Sequence, residues 1–343
     1  MRSNHLRHFF LFLAAMLAFS GAARAQHVPA SGLGAAQLAV VINDDEPNSV
    51  EIGEYYRKAR GIPAANMVHV RIPHRPRKLD AEQFEALKAQ IDAKLGPEIQ
   101  AVLMVWTAPY AVECNSLTSA YTLGLDSSLC AKSCAPSKPS SYYNSPSARP
   151  YTDFRMRLSM LLPIESVEAS KALIDRGVLA GFAMPTGTAY FLTTSDAARS
   201  SRARFFPRSM SVPSKKLTIK NLQADSIEQV SDIMVYQTGL THVPKLDTLK
   251  FLPGALADHL TSQGGELLAD AQMSSLRWLD AGATASYGTV SEPCNHWQKF
   301  PNSTVLLGQY LRGGSAIEAY WKSVAWPAQG VFIGEPLAAP YRR

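Results

Sequence analysis

From residue 35 onward the chain alternates between two hydrophobic periods. Residues 35–42 form a nearly unbroken apolar run that ends at Asn43 and Asp44, the pattern of a strand buried on both faces. The polar stretch 44–49 turns the chain, with Asn48 and Glu51 spaced as a capping box. Residues 49–60 then read as a helix whose last turn carries Arg57, Lys58 and Arg60, which suits the helix dipole. Gly61 stops it and Pro63 follows. Residues 66–73 alternate as a second strand. Asp80 and Gln83 open a second helix, with Phe84, Leu87, Ile91 and Leu95 along one stripe. Gly96-Pro97 ends that helix, and residues 99–106 form a third apolar strand. Strand, helix, strand, helix, strand implies an α/β fold with a doubly wound, mostly parallel sheet flanked by helices.

The rhythm breaks over residues 107–160. This irregular, Cys-rich insertion has no helical or strand period, and its Pro/Ser/Tyr-rich part is "APSKPSSYYNSPSARPY". Helical spacing resumes at 166–177, and "TAYFLTTSD" reads as a fourth strand. A basic loop follows, holding Arg199, Arg202, Arg204, Arg208, Lys215 and Lys216. A loop at the carboxyl end of a parallel strand is where such sheets take ligands, so Arg199 and Arg202 are candidate anion contacts; a solvated surface is the plain alternative. "SDIMVYQTGL" reads as a fifth strand. In "FLPGALADHLTSQGGELL" an apolar segment leads into Asp258, His259, Thr261 and Ser262, read as a polar loop before Gly264-Gly265. "SSLRWLDAGATASYGTV" is a helix, capped by Ser275, and then a strand. Two further helices and a final strand at "QGVFIGEPLAAPY" close the chain.

The first 25 residues change the picture of compartment. Arg2, His5, Arg7 and His8 precede the apolar run "FFLFLAAMLAF" and then "GAARAQ", which is a secretory signal peptide with cleavage after Ala25. A short linker, 26–35, leads to one α/β domain, 36–343. No later stretch reaches the length of a membrane span, so the mature chain is expected in the periplasm or secreted. The formal net charge of +6 includes Arg2, Arg7 and Arg24, so the cleaved chain keeps only about half of it. That is too little to argue for nucleic acid.

Four cysteines, Cys114, Cys130, Cys134 and Cys294, in an exported chain read as two disulfides. Sequence leaves three pairings open; Cys130 with Cys134, leaving Cys114 for Cys294, is one. The Cys130-x-x-x-Cys134 spacing does not match a zinc or redox motif.

"SYGTVSEPCNHW" sets Glu292, Cys294 and His296 side by side, a thiol and an imidazole next to a carboxylate. A nucleophile needs a base within reach and a group to orient that base. Ser262 lies three residues from His259, and Asp258, Glu292, Asp44 or Asp45 would supply a carboxylate if their loops share one rim of the sheet. Asp258, His259, Ser262 and Glu292 are therefore the catalytic candidates, and Asp44, Asp45, Arg199 and Arg202 the ligand-binding ones. Asp44, Asp45, His259 and Glu292 are ligand types that suit several metal ions, but no spacing demands a metal and no cofactor is implied. There is no G-x-S-x-G, H-E-x-x-H, P-loop or G-x-G-x-x-G.

The runs "NDDEPNSVEIGEYYRKARGIP", "PYAVECNSLTSA", "LPGALADHLTSQGG", "GATASYGTVSEP" and "IEAYWKSVAWPAQGVFIGEPLAAPY" resemble a family of exported bacterial proteins found mainly in species that carry exosortase, a sorting system for surface proteins. "GATASYG", Glu318-Ala319 and the "GEPL" turn are also similar to the later part of gingipain-type, caspase-like cysteine peptidases, which have a doubly wound sheet. Their Cys–His pair does not carry over: the chain has no His-Gly dipeptide, and Cys294 follows the "GATASYG" strand instead of preceding it. The resemblances imply a candidate envelope hydrolase on a caspase-like scaffold that lacks the usual pair. The alternative is a non-catalytic binding or assembly accessory serving an exosortase-linked surface-protein or polysaccharide system.

Overall fold

The computed structural model describes residues 32–342. The signal-peptide expectation, residues 1–25, lies outside the described residues, as does most of the expected linker.

The first third follows the hydrophobic pattern: β1 (Leu38–Asn43), α1 (Pro47–Arg60), β2 (Met67–Val70), β3 (Lys78–Leu79), α2 (Ala81–Asp92) and β4 (Ala101–Val105). Next come β5 (Ala111–Val112), β6 (Asn115–Ser116), α3 (Leu117–Leu123), α4 (Ser128–Ala131), α5 (Pro150–Phe154) and β7 (Leu158–Leu161). The middle holds α6 (Val167–Leu179), β8 (Gly187–Thr193), β9 (Met210–Val212), β10 (Leu217–Gln223) and β11 (Ile233–Thr238). The chain ends with β12 (Phe251–His259), α7 (Leu276–Asp280), β13 (Ala285–Thr289), α8 (Ser303–Leu311), α9 (Ala316–Ser323) and β14 (Gly330–Gly334).

One sheet of eleven strands runs in the order β2-β1-β4-β7-β14-β13-β12-β11-β8-β10-β9. All neighbours pair in parallel except β13 with β14 and β10 with β9. Every residue of β1, β4 and β7 is buried, which is why β1 and β4 read as nearly unbroken apolar runs instead of alternating ones. Helix α1 packs on α6, and α8 on α9. The Trp321 ring of α9 stacks on Phe332 of β14, centroids 4.2 Å apart. Residues 32–342 belong to a single compact unit, and Leu33 is already in the core, its N–H bonded to Glu318.

Several local expectations are corrected. Asp80 and Gln83 do form a capping box on α2, but Asn48 caps nothing. Pro47 begins α1, and Asn48 Nδ2 instead donates to the Ile164 carbonyl at 3.0 Å. The insertion is less irregular than its composition implies. Helix α3 is buried over Leu117–Thr122 because Ser116 and Ser119 hydroxyls donate to the carbonyls of Gly330 and Pro327, and β7 sits inside the main sheet. Directly after the basic segment, residues 217–223 form β10, a strand the sequence pattern did not announce. Asp258 and His259 are the last two residues of a strand, not part of a polar loop. Ser275 precedes α7 without a side-chain cap.

The disulfides are Cys114–Cys130 and Cys134–Cys294, so the Cys130–Cys134 pairing is not the one formed. The second ties the insertion to the loop after β13. Among the described residues no helix is long and apolar enough to cross a membrane.

Candidate functional site

The parallel strands β8, β11, β12 and β13 deliver their carboxyl ends to one rim, the usual place for ligands in such sheets. At that rim three loops meet. Gly265 N–H donates to the Thr289 carbonyl at 2.9 Å, and the Thr289 hydroxyl donates to the carbonyls of Thr261 (3.1 Å) and Ser262 (2.9 Å). This closeness requires glycine: a Cβ on Gly288 would lie 2.4 Å from the carbonyl carbon of Gly264. From the third loop, the Ser201 hydroxyl donates to the Asn295 carbonyl at 2.8 Å, and Arg199 Nε to the Thr261 hydroxyl at 3.3 Å.

The loops after β8, β12 and β13 thus bring together Arg199, Arg202, Asp258, His259, Ser262 and the 288–296 segment. Asp44 and Asp45 are not among them. They follow β1, five strand positions from β12, roughly 24 Å at the usual spacing of about 4.8 Å per strand. There Asp44 pairs with His69 and Asp45 with Arg71, each at 2.7 Å.

Asp258, His259, Arg199 and Arg202 each have internal partners that define their chemistry. Asp258 is fully buried. Its Oδ1 accepts from Arg202 Nη1 at 2.5 Å, and its Oδ2 from Gln237 Nε2 at 2.8 Å and the Tyr320 hydroxyl at 3.3 Å. Arg202, 1% exposed, also donates to the carbonyls of Thr238 (2.9 Å) and Pro301 (3.3 Å). Its charge is therefore spent inside the protein, not offered to a ligand. Arg199 pairs with Asp196 at 2.8 Å; the Arg199 backbone N–H, with the guanidinium, holds the Asp196 carboxyl below its usual range.

His259, 1% exposed, has both ring nitrogens occupied. Nδ1 accepts the indole N–H of Trp278 at 2.9 Å, and Nε2 lies 3.1 Å from the Met273 carbonyl, to which it donates. An acceptor at Nδ1 and a donor at Nε2 define the neutral Nε2–H tautomer, with no lone pair left for a substrate proton. Burial, and next the Arg202 charge, lower its pKa to about 3.

Ser262 is half-buried. Its carbonyl is bonded to Thr289, while its hydroxyl has no hydrogen bond among the described residues. Glu292 is exposed and accepts the Cys294 backbone N–H at 2.7 Å, closing a loop in which Cys294 and Asn295 have φ of 58° and 54°. Cys294 is disulfide-bonded and so is no nucleophile. His296 packs edge-on against Trp326, with centroids 6.0 Å apart. Among the described residues no group of three His, Cys, Asp or Glu side chains could hold a metal ion, so Asp44, Asp45, His259 and Glu292 are not gathered for one.

Sequence reasoning missed two features here. The Gln237 and Tyr320 contacts to Asp258 come from β11 and α9 and have no local signature. Lys299 is fully buried with Nζ 2.5 Å from the Ser133 carbonyl, and burial lowers its pKa to about 8 against the opposing pull of Glu292 and Asp126.

No protein-family model matches the sequence, and no curated protein does. Among solved structures, the Arg-specific cysteine proteinase gingipain R (RGPB) is similar with a TM-score of 0.47 at 11% identity, over 91% of this chain and 80% of that one. A complex of Porphyromonas gingivalis RgpB pro- and mature domains is similar with a TM-score of 0.43 at 11% identity, over 89% and 79%. At that level of likeness neither says what this chain does.

Proposed function

We propose that this chain is an exported binding or assembly protein of the cell envelope, in which the Asp258–His259–Ser262 group holds the sheet rim together and does no hydrolysis. One observation carries this reading: both nitrogens of His259 are committed to the protein's own groups, Trp278 and Met273. A general base needs a free lone pair within reach of the proton it removes. Asp258, the adjacent carboxylate, is likewise committed to Arg202, Gln237 and Tyr320. The secretory pattern of residues 1–25 and two disulfides support an oxidising compartment, periplasmic or extracellular. Its partners there are a surface protein or a polysaccharide.

The test is a panel of peptide, ester and glycoside substrates, with Ser262→Ala and Glu292→Gln run beside the wild type. Both side chains reach solvent, so both variants should fold. The expected result is no turnover that either substitution removes. Turnover lost in Ser262→Ala overturns the proposal and restores the hydrolase reading.

A further inference from the structure

A second site lies away from the rim residues. The carboxyl end of α8, the helix α9 and the loop 144–148 of the insertion enclose a cavity of about 440 Å³. That volume is in the range of small-molecule sites, about 300–1,000 Å³. Five polar side chains line it: Asn144, Gln309, Arg312, Glu318 and Lys322.

Lys322 is the unusual member. It is 4% exposed, and its ammonium has no hydrogen-bond acceptor among the described residues; its near neighbour is the face of Tyr142, 4.9 Å from the ring centroid. A desolvated ammonium resting only on a ring lacks the oxygen partner that buried charges normally have. Burial lowers its pKa, the Glu318 charge works against that, and Arg312 lowers it further. Arg312, exposed at the cavity mouth, has no ion pair among the described residues.

The remaining groups are set out for hydroxyls. Glu318 Oε2 accepts from Leu33 N–H (3.0 Å), Ser315 N–H (2.9 Å) and the Ser315 hydroxyl (2.8 Å), and faces the Arg342 guanidinium at 3.4 Å. All of these contacts fall on Oε2, and the Tyr142 hydroxyl, whose pKa burial and then the Glu318 charge raise, is a further neighbour of this carboxylate. Gln309 Nε2 donates to Asn144 Oδ1 at 3.2 Å, which leaves Asn144 Nδ2 as a donor and Gln309 Oε1 as an acceptor without partners among the described residues. Asn144 is fixed in place by its own N–H, 2.8 Å from the Lys322 carbonyl, in the left-handed conformation that Asn tolerates. With Glu318 offset by Arg342, the two cations give the cavity a net positive character.

We propose that this cavity binds a small hydroxylated carboxylate of the sugar-acid class, with the carboxylate on Lys322 and Arg312 and the hydroxyls on Asn144, Gln309 and Glu318. None of the rim residues takes part, so the proposal stands or falls apart from the function proposed above.

Calorimetric titration of the mature protein with glucuronate, glucose and acetate tests it. Glucuronate should bind, with glucose and acetate each weaker by about tenfold or more, the scale of one lost charged or polar contact set. Lys322→Met should weaken glucuronate by about tenfold, and Arg312→Gln, a change at an exposed side chain that leaves the core intact, should weaken it several-fold. Should Lys322→Met fail to fold, Arg312→Gln alone carries the test. No glucuronate binding by the wild type, binding unchanged in the folded variants, or glucose or acetate binding as tightly would overturn the proposal.

Discussion

The indole of Trp278 donates its N–H to Nδ1 of His259 across 2.9 Å, fixing the imidazole in its Nε2–H form. This bond runs from α7 to the last residue of β12, so it also docks the helix on the sheet end. Trp278 is fully buried, with Tyr236 and Phe251 edge-on to its ring at 5.0 and 6.2 Å. Trp278→Phe keeps most of this packing but leaves Nδ1 buried without a donor. A cost of about 1–3 kcal/mol is expected from such an orphaned group, read as a shifted urea midpoint at unchanged slope. An unshifted midpoint would show that the bond contributes nothing.

His259 should also make stability depend on pH. Its folded pKa, about 3, lies below the ordinary imidazole value of about 6.5. Between those values the unfolded chain binds a proton that the folded chain refuses, so stability is full above about pH 6.5 and falls as the pH drops toward 3. The expected slope is about 1.4 kcal/mol per pH unit at most. Denaturant midpoints of the wild type and His259→Asn, measured from neutral pH downward, isolate this term: the variant should lose less than the wild type on acidification.

The Arg202–Asp258 pair, 1% and 0% exposed, makes an asymmetric prediction. Asp258→Asn leaves an uncompensated buried guanidinium and should cost about 3–5 kcal/mol. Adding Arg202→Met removes that orphan charge and should recover part of the loss. A double variant less stable than the sum of the two singles would contradict this account of the pair.

The disulfides should differ in weight. Cys114 and Cys130 are 16 residues apart, and Cys134 and Cys294 are 160 apart. In the chain-entropy model the first closure is worth about 3 kcal/mol and the second about 5. Cys294→Ser with Cys134→Ser should therefore lower the thermal midpoint more than the paired removal of Cys114 and Cys130. Thiol titration of the unfolded, unreduced protein should find no free cysteine.

Much of the architecture was legible because buried parallel strands announce themselves. The run that became β4 is apolar from end to end and that of β1 up to Asn43, and α2 carries a formed capping box. What was not legible has physical causes. Strand β7 is four residues long and hidden behind a Pro/Ser-rich stretch, yet it fills the place between β4 and β14. Strand β10 was masked by Lys216 and Lys220, whose long side chains reach solvent from a sheet near its edge.

At the site, residues 43–49, 257–265 and 288–296 were expected to share one rim, and the structure joins the last two through Thr289. The place of Asp44 and Asp45 depends on strand order, which the local pattern does not encode. Whether Arg202 is a surface cation or the partner of a buried carboxylate also turns on a contact between distant residues, invisible in a run of arginines.

The most direct test of the central claim is a long-range proton–nitrogen NMR spectrum of the His259 ring, followed as a function of pH. The account predicts a single neutral tautomer with the proton on Nε2, unchanged from neutral pH down to about pH 4. A ring that titrates near the ordinary value of about 6.5, or that carries its proton on Nδ1, would contradict it.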